Sequence, residues 1–300
     1  PERGVWMTQN RDTDVMMIGH FARDRVVVDG QSQTVSGGAV YYGSIALRHL
    51  GLDVAVVTRL HPNDFHLLEE LKQEGVEVFG SPAPQTSGIE NIYDSADMER
   101  RICKPLGFAG PIRPADLPDL QAHIYVAASI MAGEIDLSLL KLLAQRGPVA
   151  LDVQGFVRVR DNGNLVFHQW PEMEEGLAHV TYLKVDRAEA ELLTGETDLR
   201  VAARRLAEYG PGEVVVTQSS GLIVFAEGQI HQAPFTPRSL NGRTGRGDTC
   251  FAADLGCRLN CEPAEATRLA GAVTTLKQEK PGPWRGTLAD VEALLAAGDR

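Results

Sequence analysis

The stretch RTGRGDTCFAADLGCRL, residues 243–259, sets two glycines and two arginines ahead of Asp248, followed by an apolar run of helical character. A helix entered through glycines presents unsatisfied backbone N–H groups and the positive end of its dipole, so it attracts anions. Gly245 and Gly247 let the main chain approach a ligand without side chains in between. The positive helix end should lower the pKa of Asp248 and keep it ionised. Such a carboxylate can take a proton from a hydroxyl while the neighbouring amides hold phosphoryl oxygens. The plainer reading is an N-cap aspartate after a glycine-rich loop. The order G-x-x-G-x-G across Gly242, Gly245 and Gly247 reverses the dinucleotide fingerprint, and G-x-x-x-x-G-K-[ST] is absent. A dehydrogenase and a Walker A nucleotidase therefore lack support.

Residues of this kind need a frame. Strand-like runs occur at 14–19, 53–60, 123–129, 148–153, 180–185 and 213–218. Several are apolar without alternation, as in strands covered on both faces. Between them, 64–75, 136–147 and 198–210 open on Asp and close on Gly, which are helix start and stop signals. The alternation predicts an α/β fold: a mainly parallel central sheet with helices on both faces, spanning 1–300 as one domain. Two regions break the rhythm. Residues 23–38 read as a hairpin turning at Asp29-Gly30, and 86–107 as two more strands joined by a polar turn. Neither has a helix to cover it, so both predict a small β-sheet standing off the main body. Such a sheet suits a lid that excludes water, a bland surface layer, or a face pairing two copies into a homodimer. Residues 1–13 are polar and read as a frayed lead-in.

Composition bounds the partners. Three hundred residues at 43% hydrophobic content suffice for a large core, and the net charge of −11 argues against nucleic acid. A bound phosphate must then be held by a local device. No basic-then-apolar leader opens the sequence, and no apolar run nears the roughly 20 residues needed to span a bilayer. The expectation is no membrane partner and a cytoplasmic location. Cys103, Cys250, Cys257 and Cys261 match no common zinc spacing and read as buried thiols.

Several stretches carry a family likeness in order along the chain. TGRGDTCFAA resembles the C-terminal signature D-T-x-G-A-G-D of the ribokinase-like (PfkB) carbohydrate kinases. GHFARD (19–24) resembles the first strand's end, and SGGAVYYGSIALRHLG (36–51) the Gly-Gly signature opening a helix. LKVDRAEAELLTG (183–195) is similar to the N-x-x-E segment, and VVVTQSSGLIVF (214–225) to the T-x-G-x-x-G nucleotide turn. The likeness implies an ATP- and Mg²⁺-dependent kinase that phosphorylates a hydroxyl of a small sugar, polyol or nucleoside. LDVQGFVR (151–158) and the short lid resemble the myo-inositol kinase branch more than ribokinase.

Roles follow from that resemblance. Asp248 would be the base, with Gly245, Arg246 and Gly247 lining an anion hole for the transferring γ-phosphoryl. Asp24, Gly37, Gly38 and Asp152 would hold the substrate. Lys184, Asp186, Glu189, Thr217, Gly221 and Arg243 would serve the nucleotide, and Glu189 would reach Mg²⁺ through water. Residues 271–284 would close over the adenine region. Three positions depart from the pattern: Gly242 replaces the signature's first Asp, Tyr42 an Asn, and Asp186 an Asn. In relatives activated by a monovalent cation that first Asp helps hold the ion, so its loss argues against K⁺ dependence. Arg243 or Arg246 would supply positive charge to the phosphates instead. The rival expectation is a non-catalytic nucleotide- or sugar-binding relative in which these departures signal lost chemistry.

Overall fold

The computed structural model describes residues 12–94 and 97–298. The expected lead-in up to residue 11, and residues 95 and 96 within the polar turn expected in 86–107, lie outside them. Fifteen strands are present among the described residues: β1 (Thr13–Ile18), β2 (Ala22–Val28), β3 (Gln31–Gly37), β4 (Val54–Leu60), β5 (Glu77–Pro82), β6 (Gly88–Asp94), β7 (Asp97–Gly107), β8 (Ala122–Ala127), β9 (Val149–Asp152), β10 (Arg158–Asp161), β11 (Asn164–Phe167), β12 (Tyr182–Asp186), β13 (Glu213–Gln218), β14 (Gly221–Ala226) and β15 (Gln229–Pro234). Nine of them form one sheet in the order β15-β14-β13-β12-β9-β8-β1-β4-β5. From β5 through β13 every neighbour is parallel; β14 and β15 add an antiparallel edge. Apolar side chains cover both faces in two separate clusters, one around Val56, Ile45 and Phe251, the other around Tyr125, Leu139 and Leu183. That is why β1, β4 and β13 read as unbroken apolar runs rather than alternating ones.

The two regions that break the rhythm form a second, separate sheet in the order β3-β2-β6-β7, labelled the lid after one of the roles expected of it. The hairpin β2–β3 turns at Asp29 (φ 49°) and Gly30 (φ 81°), the paired left-handed conformation of a two-residue turn. β2 then runs parallel to β6, whose partner β7 completes the layer. The helices at 137–146 and 199–207 start at Asp136 and Asp198, each accepting an amide hydrogen bond as expected of caps. The 64–75 stretch departs from expectation. It begins as a tight 3₁₀ segment, Pro62–Leu68, capped by His61, and is α-helical only over Glu69–Gln73. Asp64 accepts instead from Thr86 Oγ1 at 2.6 Å, tying this segment to the start of the lid. The reading of all four cysteines as thiols also needs correction. Cys257, in the last turn of the Arg246–Arg258 helix, forms a disulfide with Cys261 just beyond the helix end, while Cys250 is a buried thiol. Spacing alone hides this pair, because a helix end can bring residues four apart to a Cα separation of 5.3 Å.

Candidate active site

The carboxyl ends of the parallel strands deliver the chemistry. Asp152 closes β9, Asp186 closes β12 beside Lys184, and Thr217 on β13 lies in register with Asp186. Lys184 Nζ donates to both Asp152 oxygens at 3.1 and 3.0 Å and lies 4.0 Å from Glu189. All three side chains are buried. Burial by itself would pull the Lys184 ammonium down, but the Asp152 and Glu189 carboxylates overcome it and hold its pKa well above the ordinary value. Asp152 also accepts from the Gln154 amide at 3.1 Å, so it satisfies its loop and its lysine together.

Glu189 occupies the third position of a helix that Asp186 caps. The Asp186 side chain accepts from the Glu189 amide at 2.8 Å, and Glu189 Oε2 accepts from the Asp186 amide at 2.7 Å. Its other oxygen is buried without a protein partner. Burial pushes Glu189 up to about 7 against the pull of Lys184. An orphaned carboxylate oxygen of this kind fits a water of a hydrated Mg²⁺. Among the described residues no three acidic, His or Cys side chains gather to hold a metal directly.

The glycine-rich stretch enters the Arg246–Arg258 helix as its composition suggested. Gly245 is the N-cap at φ +78°, with no side-chain cap bond. Asp248 is the third helical residue, so the N-cap reading of it falls. A Cβ at Gly247 would lie 3.6 Å from Lys184 Nζ, which sets the amides at 246–248 beside the Asp152–Lys184 pair. Asp152 and Asp248 line one cavity with Met17, Ala128 and Phe251. The expected lowering of the Asp248 pKa is reversed. Burial and the neighbouring Asp152 push it up to about 6, outweighing Lys184, Arg158 and Lys277. A carboxyl of that pKa suits proton uptake near neutrality better than an ordinary aspartate does.

Other expected positions stand elsewhere. Asp24 is on lid strand β2, where its carboxylate accepts from the Ile89 amide at 2.7 Å. A Cβ at Gly37 would lie 2.2 Å from an Asp24 oxygen, and one at Gly38 (φ +90°) would lie 2.6 Å from His20 O. These three therefore form the root of the lid, where the chain passes into the Ala39–His49 helix. Gly221 is pinned between β13 and β15, where a Cβ would meet Ala233 O at 2.4 Å. Two cations escaped the sequence reading as site residues. Arg158, buried at the start of β10, belongs to a hairpin that Asn162-Gly163 signals as strongly as Asp29-Gly30 does. Lys277 ends an apolar helix face and is fully buried, a placement no local pattern reveals.

With this geometry in hand, comparison with known proteins decides the family. The model of the pfkB family carbohydrate kinases matches residues 12–286. The chain belongs to that family. As a kinase it is similar to a pyrophosphate-dependent kinase in the ribokinase family, solved as a sulfate complex: 37% identity, TM-score 0.87, covering 93% of this chain and 99% of that one. A structure of a pyrophosphate-dependent kinase in the ribokinase family with a pyrophosphate analog and myo-inositol gives 36% identity and a TM-score of 0.86 over 93% and 99%. Arabidopsis thaliana ribokinase with ribose and ATP shares the fold at 21% identity and a TM-score of 0.75, over 94% and 98%. Among curated proteins, the cytidine kinase of Thermococcus kodakarensis is 24% identical over 250 residues, 78% of this chain and 84% of the relative. No helix among the described residues is long and apolar enough to cross a membrane.

Proposed function

We propose that this kinase moves a phosphoryl group from pyrophosphate to a ring hydroxyl of an inositol-like polyol. Asp248 takes the hydroxyl proton, and the amides of Gly245, Gly247 and Asp248 receive the oxygens of the transferring group, the Arg246 amide donating to Arg243 O within the turn. The observation that carries the reading is a helix start without a side-chain cap that opens beside the Lys184 ammonium, with Asp152 and Asp248 lining one cavity next to it. A donor without a base or ribose must draw its binding energy from phosphate contacts, and clustered cations with amides supply them. Identities of 35–37% to pyrophosphate-dependent kinases support the same donor. Arg243 and Arg246, at the loop and the first helical residue, would add charge to the far phosphate.

The acceptor would lie between the lid root and Asp248. Asp24, Gly37 and Gly38 would bind it through the lid root, and Asp152 would orient it from the sheet side. Glu189 would reach Mg²⁺ through a water, and the ion would neutralise charge on the donor's phosphates. Lys184 bonds both oxygens of Asp152 and lies 4.0 Å from Glu189, so those two carboxylates are engaged with a cation while Asp248 would be the one to take the acceptor's proton. ATP remains the second reading, supported by Thr217 in register beside Asp186 and by the ATP-bound family neighbours. The deciding experiment is a phosphorylation screen over polyols, sugars and nucleosides with each donor in turn, with Asp248→Asn as control. Turnover with pyrophosphate and a cyclic polyol bears out the proposal; turnover with ATP alone replaces the donor. No turnover with either donor, or an equally active Asn variant, rejects the assignment of Asp248.

A further inference from the structure

The Lys277 ammonium sits in an arrangement that phosphate binding does not explain. Nζ donates to Gly242 O at 2.7 Å and to Gly282 O at 2.6 Å, and it lies 5.3 Å from the centroid of the Tyr42 ring. The first carbonyl belongs to the loop leading into the Arg246–Arg258 helix, the second to the turn after the Pro263–Gln278 helix. Two carbonyl oxygens and an aromatic face are the surroundings of a desolvated monovalent cation. The rest of the neighbourhood is shaped to that end. The Gly242 amide donates to Gln278 O at 2.7 Å, and a Cβ at Gly242 would fall 1.8 Å from Lys280 O. No carboxylate fits at position 242, so an acidic side chain cannot supply the negative half of an ion site there. The Tyr42 ring in turn presses on Gly245: a Cβ there would meet it at 2.3 Å. Tyr42, Gly242 and Lys277, two of them departures from the family pattern, thus form one contact set.

We propose that Lys277 is a built-in monovalent cation that joins the 242–248 loop to the 277–282 segment and thereby positions the amides of Gly245, Gly247 and Asp248; this rests on those amides receiving phosphoryl oxygens. Lys277 is a positioning residue acting through Gly242 directly and through Tyr42 onto Gly245. Because the charge is covalently tethered, the enzyme needs no ion from solution at this point. Burial does draw the ammonium down to about 8, with Asp248 pulling the other way.

The test is cation rescue. Wild-type turnover should be equal in potassium, ammonium and sodium chloride at matched ionic strength. Lys277→Ala opens a space lined by the same carbonyls and should lose about 100-fold in kcat, the scale of a small misplacement of catalytic groups. Potassium or ammonium, but not sodium or choline, should restore at least about tenfold of that loss. Lys277→Met, which fills the space without charge, should stay impaired in every salt. The melting temperature of Lys277→Ala should rise with the same two ions, a readout independent of turnover. Stimulation of wild type by potassium or ammonium overturns the proposal. So does a folded Lys277→Ala variant that responds alike to all salts. If wild type transfers phosphoryl from neither donor, the functional reading fails, and the melting experiment still decides the cation role.

Discussion

Replacing Asp248 by asparagine should make this enzyme more stable and nearly inactive. In the folded chain Asp248 titrates at about 6 against an ordinary 3.8, chiefly because burial and Asp152 disfavour its charge. Each pH unit of that displacement corresponds to about 1.4 kcal/mol, so at neutral pH the ionised side chain costs the native state about 3 kcal/mol. The residue is half-buried, and solvent reaching it from the cleft trims this to about 2 kcal/mol. The sign follows from the raised pKa. The native state holds the proton more tightly than the unfolded chain, so the cost is full above about 6 and gone below 3.8. Asparagine removes the charge at every pH. Thermal melts at pH 7 should show the variant higher by about 4 °C. The two proteins should converge as the buffer is taken down through the window from about 6 to 3.8. Turnover should fall by about 10²- to 10⁴-fold, the usual worth of a general base. A variant less stable than wild type at pH 7 would refute the desolvation argument, and undiminished turnover would refute the role of Asp248.

Other outcomes can be stated briefly. The acid limb of kcat should lie between about 6 and about 7, where Asp248 and then Glu189 lose their protons; a rate flat across that range would contradict the environment described for both. An alkaline limb near 8 should accompany it as Lys277 discharges, and Lys277→Met should abolish that limb, as initial rates against pH would show. Lys184→Met leaves Asp152 and Glu189 buried without their cation and should lower stability by about 3–5 kcal/mol in urea denaturation; a change under about 1 kcal/mol would show the pair to be better solvated than the structure indicates. Gly38→Ala meets both a positive φ and His20 O, and it should lower the melting temperature as well as raise the KM for the acceptor; a neutral result would mean the lid root shifts freely.

The frame of this molecule could be read from local chemistry because its causes are local. Apolar runs ending in Asp152 and Asp186, Asp-capped helices and the Asp29-Gly30 turn each depend on residues adjacent in the chain. The helix start at Gly245 was visible for the same reason. The Asp248 pKa was misjudged in direction because its largest influences, burial and Asp152 on β9, come from tertiary packing. The Lys184–Asp152 pair spans 32 residues of sequence and the Lys277–Gly242 bond 35, distances over which no periodicity carries a signal. Asp24 illustrates another limit. Its position in GHFARD marks it for the substrate, and the fold also employs it to hold Ile89.

That last contact has a mechanical side. Asp24 fastens β2 to the start of β6, and backbone ladders join the four lid strands in turn, with register shifts at both ends of the β6–β7 pair. Bonded in this way, the four strands make one layer. Its connections to the main body include the short crossings at Gly37-Gly38 and near Ser87-Gly88, the first running straight into the Ala39–His49 helix. That helix carries Tyr42 against Gly245, so a single rod of chain connects the lid root to the amides proposed to seat the phosphoryl group.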